Sequence, residues 1–497
     1  MSGFAGIIRL DGRPAENIDS DRLAAAIAHR GGDGGGTWRE GPALLVHAML
    51  QTTPESRDEP QPHVESDVVI AADLRLDNRE ELIALFGFDR ATGDAAFVAA
   101  AYRRWGTECV RHLEGDFSFA LFDRSARTLF CARDPFGVKP FVYAHLPGKL
   151  FAFGSEVRAL LALDEVPRDV DDKRIVDFLA VYFDDIERTF FRAIRRLPGG
   201  CVLTLRDSVA KVTRWWSPES IRSAGRRSDA EYAEGFREHF VRAVRACMRT
   251  SHPTEIGAML SGGLDSSSIA CVATQTRVSV PHTLPVFSWI FSDVPEADER
   301  EYQEIVAAAG GMTRHVIDSA TAGYSPWSDL DRLLPGGAPY SPNHYLNHGA
   351  AKLARSLGVR TILDGLGGDS SISRGGPRFV ELFVRGRAIT LVRELRAFGA
   401  VNGGSLARLF VSHVAAPLTP PFAFRLYRAL RGREQTELAP FRPQFSVRSE
   451  HIAQLQSPLM AEGLELFDRV MALAGVEGRY PFFDRRLVEY CVSLPSD

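Results

Sequence analysis

A Gly-Gly turn set among serines, Ser261-Gly262-Gly263-Leu264-Asp265-Ser266-Ser267-Ser268, separates an apolar run at 256–260 from a second apolar stretch at 269–274. No other feature constrains the fold of this chain as tightly. The first run has the length and composition of a buried strand, and the second continues as a helix. Two adjacent glycines let the backbone turn sharply and approach an anion with no Cβ in the way. The serines and the helix N-terminus add O–H and N–H donors and a positive dipole end. Read as a pyrophosphate-binding loop, the segment supplies nucleotide contacts from Ser261, Gly262, Gly263, Leu264, Asp265, Ser266 and Ser267, and Asp265 offers a hard oxygen ligand for Mg²⁺. It lacks the Gly-Lys-Ser/Thr ending of a Walker A motif. The expected chemistry is therefore cleavage between the α- and β-phosphates of ATP, giving AMP and pyrophosphate, rather than γ-phosphate transfer. The plainer alternative is a Ser/Gly-rich turn that caps an ordinary helix.

At 497 residues the chain is too long for one core, and two domains are expected. With 45% hydrophobic and 25% charged residues and a formal charge of −4, nothing in the overall balance calls for nucleic acid. The first residues, Met1-Ser2-Gly3-Phe4-Ala5-Gly6, carry no basic, signal-like stretch, and no segment reaches the length of a membrane span, so a cytoplasmic location is expected. The six cysteines, at 109, 131, 201, 247, 271 and 491, form no CxxC pair and read as buried thiols.

Short alternating runs such as 67–72 and 117–123 dominate the first part of the chain, which predicts stacked sheets with flanking helices. An Arg/Ser-rich stretch at 217–228 precedes a helical pattern at 229–248, placing the boundary between domains 1–216 and 217–497. Beyond it, apolar strands at 256–260, 284–291, 315–318 and 360–364 alternate with helical segments, the pattern of a parallel sheet with its ligand at the carboxyl ends of the strands. Between Arg374 and Arg448 there are thirteen arginines and no lysine, against four acids. Solvated faces of amphipathic helices are the default reading; a cationic groove for an acidic peptide or partner protein is the sharper one.

Two further stretches extend the nucleotide reading: Leu363-Asp364-Gly365-Leu366-Gly367-Gly368-Asp369 and Gly475-Val476-Glu477-Gly478-Arg479-Tyr480-Pro481-Phe482-Phe483-Asp484. With the first loop, they resemble the synthetase domain of the asparagine synthetase superfamily. The earlier half resembles that family's glutaminase domain through Arg30-Gly31-Gly32-Asp33, Leu113-Glu114-Gly115-Asp116-Phe117, Ala132-Arg133-Asp134-Pro135-Phe136-Gly137, Phe153-Gly154-Ser155-Glu156 and Leu197-Pro198-Gly199-Gly200. The resemblance implies an α/β fold class: an N-terminal Ntn-hydrolase-like αββα sandwich followed by a C-terminal PP-loop parallel-sheet synthetase domain. It also implies that Asp265 and Asp369 hold Mg²⁺. Gly365, Leu366 and Gly367 then lie against the nucleotide, and backbone atoms near Val286, Phe287 and Ser288 hold adenine.

One departure bears on function. A glutaminase of this kind needs an N-terminal cysteine whose thiolate attacks the amide. Ser2 stands there instead, and the family's oxyanion-hole Asn-Gly is replaced around Ala71-Ala72-Asp73. Glutamine hydrolysis is not expected, although a hydroxyl nucleophile at Ser2 is an alternative. Family members without the cysteine take an amine already present in the substrate; they include β-lactam and carbapenam synthetases and the lasso-peptide macrolactam cyclases. The resemblance leans toward the cyclases, because Leu366 replaces a polar residue and a long arginine-rich insertion separates Asp369 from Glu477. It implies adenylation of an Asp or Glu side chain of a precursor peptide and ring closure by the peptide's N-terminal amine, with Asp265 and Glu477 as catalytic residues and Glu477 as base. A salt bridge from Glu477 to Arg479 is the structural alternative. A leader-peptide protease is the implied partner. The family's loop lysine beyond Pro495 has no counterpart before Asp497, which favours a further C-terminal segment. A small-molecule amide or lactam synthetase and a non-catalytic scaffold are the competing readings.

Overall fold

The computed structural model describes residues 2–225, 227–277, 282–320, 344–373, 375–420 and 445–496. The first half is a four-layer sandwich. One six-stranded antiparallel sheet runs, in spatial order, Arg195–Arg196, Val142–Leu146, Leu150–Gly154, Gly3–Arg9, Ala43–Ala48 and Gly35–Glu40. The other runs Val209–Arg214, Cys201–Arg206, Thr128–Arg133, Gly115–Asp123, Val68–Leu76 and His63–Glu65. Strand Gly115–Asp123 shows why the layers form. Its period-two alternation sends Phe117, Phe119 and Leu121 toward the helix Asp94–Trp105, where they meet Phe97, Val98 and Ala101. Ala120 and Phe122 face the other way, into the core between the sheets with Phe4, Leu45, Phe141 and Phe153. On the outer face of the first sheet, Ile7, Val46 and Ala152 pack against Leu23 and Ile27 of helix Asn17–Ile27.

The second half is built on a five-stranded, all-parallel sheet in the order Met312–Asp318, Leu284–Ile290, Ile256–Met259, Thr361–Leu363, Glu477–Arg479. The Ile256 strand comes first in sequence yet lies in the middle. The next two strands are laid to one side of it and the last two to the other. The topological switch point falls between Ile256–Met259 and Thr361–Leu363, and a crevice outside the carboxyl ends of those two strands is the usual ligand position in such sheets. Helix Leu264–Thr276 buries Ile269, Ala270 and Ala273 against Ala258, Leu284 and Val286. Helix Asp229–Cys247 opens with a capping box, Ser228 accepting from the Glu231 N–H while the Glu231 carboxylate accepts from the Ser228 N–H.

The arginine-rich insertion forms helices Arg378–Val384, Ala388–Asn402 and Leu406–Phe410, which enclose a small core of Leu382, Leu391, Leu395, Leu409 and Val414. Its arginines at 374, 425, 428, 431, 433 and 442 lie outside the described residues. No helix among the described residues is long and apolar enough to cross a membrane.

Charged side chains knit the two halves together. Arg196 pairs with Glu462 and Glu465, each at 2.8 Å, and Arg30 with Asp468 at 2.7 Å; all three acids lie on helix Pro458–Leu473. Arg30 also holds Glu156 at 2.6 Å, and His29 reaches the same carboxylate at 3.0 Å. Burial alone would raise the Glu156 pKa, but the His29 hydrogen bond and the Arg30 charge outweigh it and pull the group from 4.5 down to about 2. Between those values the unfolded chain binds the proton and the folded chain does not. The contribution of Glu156 is thus complete above pH 4.5 and lost as pH falls toward 2. Glu156→Gln is expected to flatten the fall in stability across that acid window, as read by thermal unfolding at stepped pH.

Candidate active site

Gly262 turns the chain out of the Ile256 strand with φ +95°, a conformation glycine tolerates and a side chain resists. Its Cα packs against the helix Arg300–Ala308, so closely that a Cβ would lie 2.9 Å from Tyr302 Cβ. Gly263 caps the next helix in an extended conformation. The Ser266 hydroxyl accepts from the Ser261 N–H at 3.1 Å and lies 2.9 Å from the Ser261 hydroxyl, bracing the turn from inside. Gln303 donates to the Ser261 carbonyl at 3.3 Å and to Trp289 at 2.8 Å. The Ser267 hydroxyl oxygen is buried and takes no hydrogen-bond partner among the described residues. A glycine turn at a helix N-terminus suits a phosphate oxygen.

The second glycine turn meets the first directly. A Cβ on Gly365 would lie 2.8 Å from the Ser266 nitrogen, and one on Gly368 would overlap the Asp265 carboxylate. Gly367 has φ +93° and sits beneath the Phe483 ring. Asp265 and Asp369 each occupy the first turn of a helix, Leu264–Thr276 and Gly368–Ile372. Two carboxylates fit Mg²⁺, which commonly binds one or two of them together with substrate phosphates; among the described residues no set of three or more metal-ligating side chains occurs.

Not every residue expected to contact a nucleotide is free to do so. The Leu366 side chain packs with Val138, Leu464, Tyr480 and Phe483, and its N–H donates to Asp364 at 2.7 Å, so neither is offered to a ligand. Leu366 is a packing residue because the turn rolls its side chain toward the first domain. Val286 and Phe287 are buried, and the Ser288 hydroxyl donates to the Leu260 carbonyl at 2.8 Å; what remains at that strand end is backbone.

Glu477 lies away from the two loops. In the parallel register it is level with Thr361 and Ile256, the entry ends of their strands, whereas the loops leave from the exit ends. It is 3% exposed. One carboxylate oxygen accepts from Lys139 at 2.7 Å; the other accepts from Arg479 at 3.0 and 2.8 Å. Burial alone would raise its pKa, but Arg479 and Lys139 hold it well below the usual carboxylate range. The salt bridge to Arg479 is present, and a carboxylate so held is a poor base. Lys139 also reaches Asp73 at 3.4 Å.

At the start of the chain, Ser2 is 8% exposed and its hydroxyl accepts from the Leu50 N–H at 3.1 Å. Asp73 lies between Lys139 at 3.4 Å and Arg30 at 3.6 Å, and the Ala72 N–H is already donated to Gln61 at 2.8 Å, so it is not free to stabilise an oxyanion.

Residues 235–497 match the asparagine synthase family, and residues 1–216 match a glutamine amidotransferase domain. The chain belongs to the asparagine synthase family. It is similar to asparagine synthetase (glutamine-hydrolyzing) 3 of Bacillus subtilis, 30% identical over 266 residues that make up 52% of this chain and 42% of that protein. Similarity to asparagine synthetase (glutamine-hydrolyzing) 2 of the same organism is lower, 23% identity, but spans 100% of this chain and 67% of the relative. Amidase chyE of Penicillium rubens is 29% identical over 312 residues, 59% of this chain and 45% of the relative. The matched region thus spans less than half the length of several curated relatives.

Within this asparagine synthase family chain, the sequence pointed to the two glycine turns and the structure brings them together. It did not single out Asp364, although that residue stands inside a quoted motif as the carboxylate that ends a strand. Because the Ser2 hydroxyl braces Leu50, Ser2→Ala is expected to leave ATP-dependent turnover within about twofold of the parent. The same steady-state assay with glutamine as sole amine source is expected to show no glutamate release from either protein.

Proposed function

We propose that this chain is an ATP-dependent, AMP-forming amide ligase that activates a side-chain carboxylate of a peptide and closes a macrolactam with the peptide's own N-terminal amine. The observation that carries the reading is the state of the first domain. A serine whose hydroxyl is bound to Leu50 stands in place of the nucleophilic cysteine, and the Ala72 N–H, in the segment that replaces the family's oxyanion-hole Asn-Gly, is spent on Gln61. A chain that makes no ammonia of its own must receive its amine with the substrate or from solution.

The substrate carboxylate attacks the α-phosphorus of ATP, pyrophosphate leaves toward the Ser261–Ser267 turn, and an acyl-adenylate forms. The turn binds and orients the departing pyrophosphate through its backbone N–H groups at the start of helix Leu264–Thr276. Asp265 and Asp369 would hold Mg²⁺, which neutralises phosphate charge when bound. The amine then attacks the acyl carbon and AMP departs. A tethered amine acts at a high effective concentration, which replaces a dedicated ammonia supply. The first domain serves as the scaffold that holds helix Pro458–Leu473 through Arg30 and Arg196.

The test is pyrophosphate–ATP exchange with two linear peptides, each with one interior Asp or Glu, one with a free N-terminus and one N-acetylated. Both are expected to support exchange, and only the free amine to give a ring. Exchange with free aspartate and none with either peptide would move the protein to small-molecule amide synthesis, the activity in the names of several relatives.

A further inference from the structure

Asp364 is the first residue past strand Thr361–Leu363, which neighbours the central Ile256–Met259 strand, and it opens the crevice at the switch point of the sheet. The next residue, Gly365, is the one that touches Asp265 and Ser266, so Asp364 stands beside the meeting place of the two loops. Its backbone N–H donates to the Arg479 carbonyl at 2.9 Å, and one carboxylate oxygen accepts the Leu366 N–H at 2.7 Å. Those contacts fix the side chain in place and leave its second oxygen without a protein donor among the described residues.

What sets it apart is charge. Elsewhere in the molecule the buried acids Asp73, Glu156, Asp468, Glu477, Asp116 and Glu465 each pair with an arginine or lysine. Asp364 pairs with none among the described residues, and burial raises its pKa while only the Leu366 N–H opposes. Across the parallel register Tyr480 is level with it, and the buried Tyr480 hydroxyl also lacks a partner. A carboxylate at this crevice whose second oxygen has no protein donor among the described residues is open to a cation that a ligand brings. The groups already assigned to the reaction bring anions, namely phosphates and a carboxylate. Apart from Mg²⁺, for which Asp265 and Asp369 are already assigned, the cation in the proposed chemistry is the attacking amine, which is an ammonium near neutral pH.

We infer that Asp364 seats the substrate's ammonium group and accepts its first proton. The inference rests on the amide-ligase reading above and names the residue that serves its second step. The ammonium transfers a proton to the Asp364 carboxylate, and the freed nitrogen lone pair forms the bond to the acyl carbon. The carbon–oxygen bond to the phosphate then breaks, its electron pair leaving with AMP, and the second amine proton goes to the departing phosphate. Asp364 returns its proton to water. Glu477 cannot take this part, because both of its oxygens are held by Lys139 and Arg479.

The test separates the two half-reactions in Asp364→Asn, which keeps the acceptor for the Leu366 N–H, and in Asp364→Ser. Substrate-dependent pyrophosphate–ATP exchange is expected to stay within about threefold of the parent, while amide formation falls by on the order of 10²-fold to 10⁴-fold. Hydroxylamine, neutral at pH 7 and so in no need of a base, is expected to capture the activated carboxylate as hydroxamate at near-parental rates in both variants. Loss of exchange and hydroxamate together in both variants overturns the inference, because Asp364 would then act in adenylation or folding. Unchanged amide formation overturns it as well. The parent protein is assayed alongside with aspartate and ammonia. If it cyclises no peptide but makes asparagine, the macrolactam reading fails, and the role of Asp364 is read on ammonium instead.

Discussion

Replacing Asp265 with alanine is expected to lower AMP and pyrophosphate formation by on the order of 10³-fold, since metal-borne charge stabilisation in phosphoryl chemistry amounts to several kcal/mol and each 1.36 kcal/mol is a factor of ten. Asp265 lies in the first turn of the helix that follows the Gly-Gly loop, facing the second loop across Gly368. Gly368→Ala is expected to act in the same direction without touching the carboxylate chemically, because the added methyl would occupy the space of the Asp265 side chain. Steady-state AMP release with thermal unfolding as a control measures both. Full AMP release by Asp265→Ala would remove Asp265 from the reaction and contradict the metal-holding role.

Glu477→Ala is expected to cost about 3–5 kcal/mol of stability, the range for removing one partner of a buried ion pair. The carboxylate is almost wholly buried, and its removal strands the Lys139 ammonium with the more distant Asp73 and leaves the Arg479 guanidinium with only backbone carbonyls of Thr52, Cys247 and Arg249. Since Lys139 belongs to the first domain and Glu477 to the parallel sheet, the loss falls on the contact between the halves. Denaturant unfolding of parent, Glu477→Ala and Glu477→Gln measures it. A base at this position would give the opposite pattern: catalytic rate lost, stability kept.

What the sequence made legible was local. A strand, a Gly-Gly turn and a helix can be read at 256–276 because apolar runs, paired glycines and serines follow one another along the chain. The period-two pattern of 117–123 likewise announces a strand, and the structure buries it on both faces. The ion-pair lattice between the halves was not legible. Arg30 and Asp468, or Lys139 and Glu477, are more than 300 positions apart. On helix Pro458–Leu473 the acids Glu462, Glu465 and Asp468 have the three-residue spacing of an ordinary solvated face. Leu366 illustrates a subtler loss: its place in the motif suggested the nucleotide, and only the turn geometry reveals that its side chain rolls into the cluster with Val138 and Phe483. Asp364 could have been found from sequence as the carboxylate ending a strand, but its lack of a cation appears only once its neighbours are in place.

The most direct measurement incubates the 497-residue chain with Mg-ATP and a linear peptide bearing a free N-terminal amine and one interior Asp or Glu, following nucleotide products and peptide mass together. A macrolactam ligase releases one AMP and one pyrophosphate for each peptide that loses the mass of one water, and an N-acetylated peptide shows no loss. Asparagine accumulating from aspartate and ammonia while the peptide mass stays unchanged would contradict it.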